Sequence, residues 1–249
     1  MLLAAGRGER MRPLTQITPK PMLQLAGKPI IQWLIEGLAH VGCRHIVINH
    51  AWLGGVVEAG LGLGTQWQIS MSYSAEQQAL ETAGGIAFAL PKLGDAPFFV
   101  ANGDVATDWP MAKIAAILTN WQPRQLAHLV LVPNPAHHQQ GDFSLNTAGL
   151  VLNQGEVMRT FSGLGIYHPS LFKSIQAGQL ARLAPLLRQA IQEQRVTGEL
   201  YRGFWQDVGT PERLAELNLE FLVRPSHYSN LSASHRPLQP LNWSSKFHE

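Results

Sequence analysis

Cysteine is nearly absent from this 249-residue chain: Cys43 stands alone, so no internal disulfide can form. That suits a reducing compartment. Cys43 follows Gly42 at the end of an apolar helical pattern and reads as a small buried residue. Charge is also scarce. Charged residues make up 14% of the chain, and the formal net charge is +2. So mild a balance argues against nucleic acid as a partner, while leaving room for a local basic cluster that binds a small anion. No apolar run approaches the ~20 residues that span a bilayer. Met1-Leu2-Leu3-Ala4-Ala5 is too short for a signal-peptide core. A soluble cytoplasmic protein is expected. No internal repeat is evident.

What is present is a globular composition, with 45% hydrophobic residues. Residues 1–5 read as a short buried strand. Ile31, Leu34, Ile35, Leu38 and Val41 recur at helical spacing, and Gly42 stops that helix. Further strands are expected at 45–49, 68–73, 96–101 and 128–132, with helices at 84–90 and 111–120. This alternation predicts an α/β fold with a mostly parallel sheet flanked by helices. Phe143–Leu152 and Val157–Tyr167 read as strands of a small antiparallel insertion. A helix is expected over 180–194 and a strand over 205–208. Another helix should start at Thr210-Pro211-Glu212, with Thr210 as its N-cap. Residues 1–223 form the expected domain, and 224–249 a polar irregular tail.

In such sheets ligands bind beyond the carboxyl ends of the strands. Two loops fall at strand ends of that kind. The first runs from Gly6 to Pro21. Its glycines let backbone amides approach phosphates, although Gly-x-Gly alone is also an ordinary strand-to-helix turn. It lacks the Gly-Lys-Ser/Thr ending of a Walker loop, and Met11 stands where a dinucleotide fingerprint needs a third glycine. Arg7, Arg10, Arg12 and Lys20 crowd into this one segment, which calls for an anion among them. Pro19 and Pro21 restrict the backbone around Lys20. The second loop is Asn102-Gly103-Asp104. A distant carboxylate, Asp207, sits in Trp205-Gln206-Asp207-Val208-Gly209. Either aspartate could cap a turn; together they suit Mg²⁺, which takes hard oxygen ligands and shares them with phosphates.

Leu3-Ala4-Ala5-Gly6-Arg7-Gly8-Glu9-Arg10-Met11-Arg12-Pro13-Leu14-Thr15, then Pro19-Lys20-Pro21 and Gly27-Lys28-Pro29-Ile30, resemble the sugar-1-phosphate nucleotidyltransferases. Their pattern is LAAGxGxRxxPLT…PKPLxxxxGKPxI, and their fold is a Rossmann-like mixed sheet. The resemblance implies that Ala5 and Gly6 lie near the nucleobase, and that Gly8, Glu9 and Arg10 embrace the triphosphate. Arg10 and Lys20 would neutralise phosphate charge, and Asp104 and Asp207 would hold a catalytic Mg²⁺. The segment Leu80-Glu81-Thr82-Ala83-Gly84-Gly85 resembles a second base-contacting stretch and puts Thr82 and Gly84 at the nucleotide.

Three departures from the pattern stand out. Fewer residues precede Leu3, so a short first strand is expected. Glu9 replaces a threonine, and its carboxylate must turn outward or pair with Arg10, Arg12 or Lys28. Ala83 replaces a glycine and would crowd the base edge.

Glu76 occupies the place of a base-reading glutamine in the family's Tyr-x-x-Gln. A carboxylate there accepts from the N3–H of uracil or thymine and disfavours CTP; otherwise Glu76 is a solvated loop residue. Asn49-His50-Ala51-Trp52, His137-His138, Gly141-Asp142-Phe143, Phe161-Ser162-Gly163 and Leu183-Ala184-Pro185 resemble a UTP-using branch of the family that acts on a peptidoglycan-derived sugar 1-phosphate. By that resemblance Asn102 and Asp142 contact the sugar, unless each only shapes a turn. Adjacent His137 and His138, with no cysteine or third histidine motif nearby, do not make a zinc site. Trp52 reads as packing rather than sugar stacking. Other pairings stay open, namely mannose 1-phosphate with GTP and glucose 1-phosphate with UTP or dTTP, as does a non-catalytic nucleotide sensor.

Overall fold

The computed structural model describes residues 1–223; the tail expected at 224–249 lies outside the described residues. The chain opens with β1 (Leu2–Leu3), the glycine-rich loop, and a small hairpin of β2 (Gln24–Leu25) and β3 (Lys28–Pro29). Next come α1 (Ile30–His40), β4 (His45–His50), α2 (Gly54–Leu61), β5 (Ser70–Ala75), α3 (Glu81–Leu93) and β6 (Phe98–Asn102). β7 (Val105–Thr107), α4 (Lys113–Thr119) and β8 (Ala127–Val132) follow. The remaining elements are β9 (Phe143–Leu145), β10 (Val151–Leu152), β11 (Met158–Tyr167), α5 (Leu183–Gln192), β12 (Val196–Leu200), β13 (Trp205–Asp207) and α6 (Pro211–Val223).

The main sheet runs β5-β4-β1-β6-β11-β8-β12. β5, β4, β1 and β6 are parallel, β11 is antiparallel to both its neighbours, and β8 and β12 are parallel to each other. The chain leaves β1 toward β4 and β5, then returns to β6 on the other side of β1. That reversal opens a crevice at the carboxyl ends of β1 and β6.

Strand alternation feeds two cores, one on each face. Ile46, Ile48, Phe99 and Ala101 point to the face covered by Ile31, Leu34, Ile35 and Leu38 of α1. Val47, Phe98 and Val100 point to the other face, covered by Ile86 of α3 and Leu183, Leu187 and Ile191 of α5. A third, smaller core joins Met11 of the glycine-rich loop to Ala106 of β7, Val208 after β13, and Leu214, Leu217 and Phe221 of α6. It ties the loop to the β7–β13 pair that carries the aspartates.

The structure corrects several expectations. Met158–Tyr167 belongs to the small antiparallel unit only at its start, where Met158 and Arg159 pair with β9; from Thr160 on it pairs with β8, and Leu164–Tyr167 lie between β6 and β8 in the main sheet. Phe143–Leu152 is a hairpin and not one strand: Asn146 Oδ1 accepts from the amides of Ala148 and Leu150, and Gly149 supplies a positive φ. The helix expected from Leu180 starts at Leu183, because Ala181 is held extended by hydrogen bonds with Leu80, Ala83 and Gly84. α2, β12 and β7 carried no strong periodic signal. Thr210 does cap α6, with its Oγ1 accepting from the Arg213 amide at 3.4 Å. None of the helices among the described residues is long and apolar enough to cross a membrane.

Ile35 is fully buried between α1 and the sheet. Ile35→Ala is expected to lower the unfolding free energy by about 2–5 kcal/mol, read as a shift in urea midpoint at constant slope.

Candidate active site

The site begins with register. Leu3 pairs with Asn49 on one side and Asn102 on the other, so two asparagines end at the same height as the loop leaves β1. Asn49 Oδ1 accepts from the Ala4 amide at 3.1 Å, and the Gly103 amide donates to Leu3 O at 2.9 Å. A Cβ at Gly103 would meet that carbonyl at 2.7 Å, so the close approach needs glycine.

The loop is braced from behind. Gly8 has φ +62°, and a Cβ there would stand 2.9 Å from Thr15 Cγ2 and 3.1 Å from Lys20 Cβ. Thr15 Oγ1 donates to Gly8 O at 2.8 Å. The Trp52 indole donates to Thr15 O at 3.0 Å, and Arg7 lies over its ring, 5.7 Å from the centroid. Trp52 therefore packs against the loop. The four loop cations separate: Arg7 stays on Trp52, and Arg12 faces Glu9 at 4.0 Å on the exposed side. Arg10 and Lys20 line the cleft. Glu9 also borders it, while most of its side chain faces solvent. Lys28 pairs instead with Glu36.

The cleft has two lobes. The first, about 550 Å³, is bounded by Ala5, Gly6, Gly8, Arg10, Lys20, Thr82 and Asp104. The second, about 310 Å³, contains Asp142, Phe143, Phe161 and Arg188. Leu3, Glu81, Thr82 and Asn102 border both. Asn102 fits there because Gly163, at φ +78°, has no side chain; a Cβ would lie 2.5 Å from Asn102 Nδ2. Asp142 is fixed on both oxygens. Its Oδ2 accepts from the Phe161 amide at 2.8 Å, and its Oδ1 lies 3.1 Å from His138 Nε2.

Asp104 and Asp207 meet through the backbone: Val208 N donates to Asp104 O at 3.0 Å, and Asp207 pairs with Val105 across the β7–β13 ladder. Each carboxylate already faces a cation. Lys20 Nζ donates to Asp104 Oδ2. Arg213 Nη1 donates to both oxygens of Asp207, at 3.0 and 2.9 Å, and His137 Nε2 lies 3.1 Å from its Oδ1. Among the described residues no group of three or more His, Cys, Asp or Glu could hold a metal by itself. Asp104 lines the first lobe, whereas Asp207, joined to it through the backbone, is not among the lining residues of either lobe; two hard carboxylates that share a cation with phosphate and water are the donor type that Mg²⁺ takes. His137 and His138 thus engage two different carboxylates.

Two expected nucleotide contacts, Glu76 and Gly84, line neither lobe. Glu76 is buried behind the cleft: Oε1 accepts from Asn49 Nδ2 at 2.6 Å, and Oε2 accepts from the Leu80 amide at 2.9 Å. Both its oxygens are occupied by the protein, so it orients Asn49 rather than facing a base. Gly84 packs on the 179–181 backbone, where a Cβ would lie 2.3 Å from Gln179 O. Ala83 is wholly buried in the core and crowds no base edge. Asn49 and Arg213 were not anticipated. The signal that could have found Asn49 is a polar residue near the end of an apolar strand; Arg213 left no comparable trace.

Burial pushes the Glu76 carboxyl above the ordinary carboxylate range, opposed by the Asn49 and Leu80 hydrogen bonds. The folded chain then holds this proton more tightly than the unfolded chain. The associated stability is present below the unfolded value and lost as pH rises through the raised one. Glu76→Gln removes this titration. Its stability relative to the unsubstituted protein should therefore increase as pH rises above the ordinary carboxylate range, as measured by urea unfolding. Parallel curves would remove Glu76 as a titrating group.

Known proteins resemble the chain in both sequence and fold. It is 50% identical over 220 residues to an N-acetylmuramate alpha-1-phosphate uridylyltransferase of Neisseria meningitidis serogroup B, covering 87% of this chain and 95% of that one. It is 33% identical to the protein of that name from Caulobacter vibrioides, covering 85% and 92%. A crystal structure from Bacillus anthracis, titled as a glucose-1-phosphate thymidylyltransferase with a sucrose, superposes with a TM-score of 0.78 at 20% identity, covering 88% of this chain and 92% of that one. Residues 1–223 match the nucleotidyl transferase family, and the chain belongs to it.

Proposed function

We propose that the protein transfers uridylyl from UTP to N-acetylmuramic acid 1-phosphate, giving UDP-N-acetylmuramic acid and pyrophosphate, in peptidoglycan sugar recycling in the cytoplasm. The observation that carries this reading is the two-lobed cleft. Arg10, Lys20 and Asp104 line one lobe, Asp142 lines the other, and Asn102 is on their shared wall. A triphosphate in the first lobe and a sugar in the second would bring a sugar-phosphate oxygen in line with the α-phosphorus. The new P–O bond forms there as the bond to the β-phosphate breaks.

The attacking phosphate is already an anion, so no general base is needed. Rate comes from positioning and charge neutralisation. Arg10 and Lys20 supply positive charge to the departing pyrophosphate, and loop amides from Gly6 to Arg10 receive phosphate oxygens. Asn102 donates to and accepts from sugar hydroxyl or acetamido groups, and Asp142 accepts from hydroxyls. Asp104 and Asp207 would hold Mg²⁺, whose chemistry is to screen the phosphates and polarise the reacting phosphorus. Lys20 and Arg213 pair with these carboxylates, and Lys20, which also lines the first lobe, would meet a phosphate bound there. With Glu76 turned away from the cleft, the preference for UTP rests on the activity that the relatives' names state.

A matrix of UTP, dTTP, GTP and CTP against N-acetylmuramic acid, N-acetylglucosamine, glucose and mannose 1-phosphates tests this reading by pyrophosphate release. UTP with N-acetylmuramic acid 1-phosphate should be fastest. Nucleotide binding without turnover in any cell of the matrix would leave a sensor. Asp207→Asn should lower kcat/KM by on the order of 100-fold or more and raise the Mg²⁺ concentration needed for half-maximal rate. Unchanged kinetics would take Asp207 out of the metal site.

A further inference from the structure

The second lobe holds a cation that the fold leaves without an acidic partner. Leu183, Leu187, Ala190 and Ile191 anchor α5 in the core. Arg188 follows Leu187 at the rim of that buried face, and it lines the second lobe but not the first. Its guanidinium carbon lies 5.9 Å from the Phe143 ring centroid, and its carbonyl accepts from Asn153 Nδ2 at 3.0 Å. Among the described residues no carboxylate pairs with Arg188. The other charges of the lobe are engaged: Arg182 faces Glu81 at 3.7 Å, and Asp142 is held by His138 and the Phe161 amide.

A guanidinium resting on an aromatic face keeps its donor edge free and samples fewer orientations. That edge matches a carboxylate with parallel N–H···O bonds. It cannot serve the phosphates if they lie with Arg10 and Lys20 in the other lobe. We infer that Arg188 receives a carboxylate carried by the sugar itself, so that the cleft selects a sugar 1-phosphate with an acidic substituent remote from its anomeric phosphate. This inference rests on the proposed function and sharpens it. N-acetylmuramic acid differs from N-acetylglucosamine by one lactic acid ether, and hence by one carboxylate. Arg188 would read that difference.

The test compares kcat/KM with UTP for N-acetylmuramic acid 1-phosphate and N-acetylglucosamine 1-phosphate. Arg188→Gln should reduce the ratio of the two by roughly 10- to 100-fold, the size of effect expected for a lost charge-assisted hydrogen bond. A substrate with the lactyl acid converted to its amide should lose a similar factor with the unsubstituted protein. Combining the two changes should then add little. The substrate-side change keeps the test independent of any folding defect in the variant. A ratio left intact, or an amide substrate used as well as the acid, overturns the role of Arg188 alone. No turnover of N-acetylmuramic acid 1-phosphate by the unsubstituted protein, with another sugar phosphate used instead, overturns the substrate assignment and this inference together.

Discussion

The site depends on the register of a two-residue strand. β1 lies between β4 and β6, and Leu3 faces Asn49 and Asn102 at once. Because these strands are parallel, their carboxyl ends come out on one edge. Because the chain reverses direction around β1, the edge opens there into a crevice. A slip of one residue on either side would turn the corresponding asparagine to the opposite face. The glycine-rich loop, the Asn102-Gly103-Asp104 turn and the shared wall of the two lobes all inherit their positions from this pairing.

Electrostatics then set the resting arrangement. Asp104 faces Lys20, Asp207 faces Arg213 and His137, and Asp142 faces His138. These partly buried carboxylates do not stand as bare charges in the cleft, which would be costly. The same pairings fix the direction of each carboxylate: Lys20, Arg213 and the two histidines reach them from four separate positions in the chain.

Contiguous features were legible in the sequence. The loop, Pro19-Lys20-Pro21 and Asp104 could be recognised because the residues that shape each turn are neighbours in the chain. α1 could be read because its apolar positions repeat every turn. Less was visible where the deciding partner is far away. Nothing around Glu76 says that Asn49, 27 residues earlier, occupies one of its oxygens. Nothing around Arg7 says that Trp52 draws it off the phosphate side. β11 looked like an insertion because antiparallel pairing reads the same in a hairpin as in a main sheet. The glycines that open α2 hid its helical character.

The Glu76–Asn49 contact also bears on how such a cleft can change over generations. Gly85 leaves room for this pair, since a Cβ there would lie 2.6 Å from Glu76 Oε1 and 2.8 Å from Asn49 Nδ2. The three positions form one mechanical unit, of which Asn49 alone borders the cleft. A replacement at position 76 or 85 therefore reaches the ligand through the tilt of an amide it never carries. Substitutions at these three positions therefore constrain one another: a side chain at position 85 is accommodated only if Glu76 and Asn49 give way together.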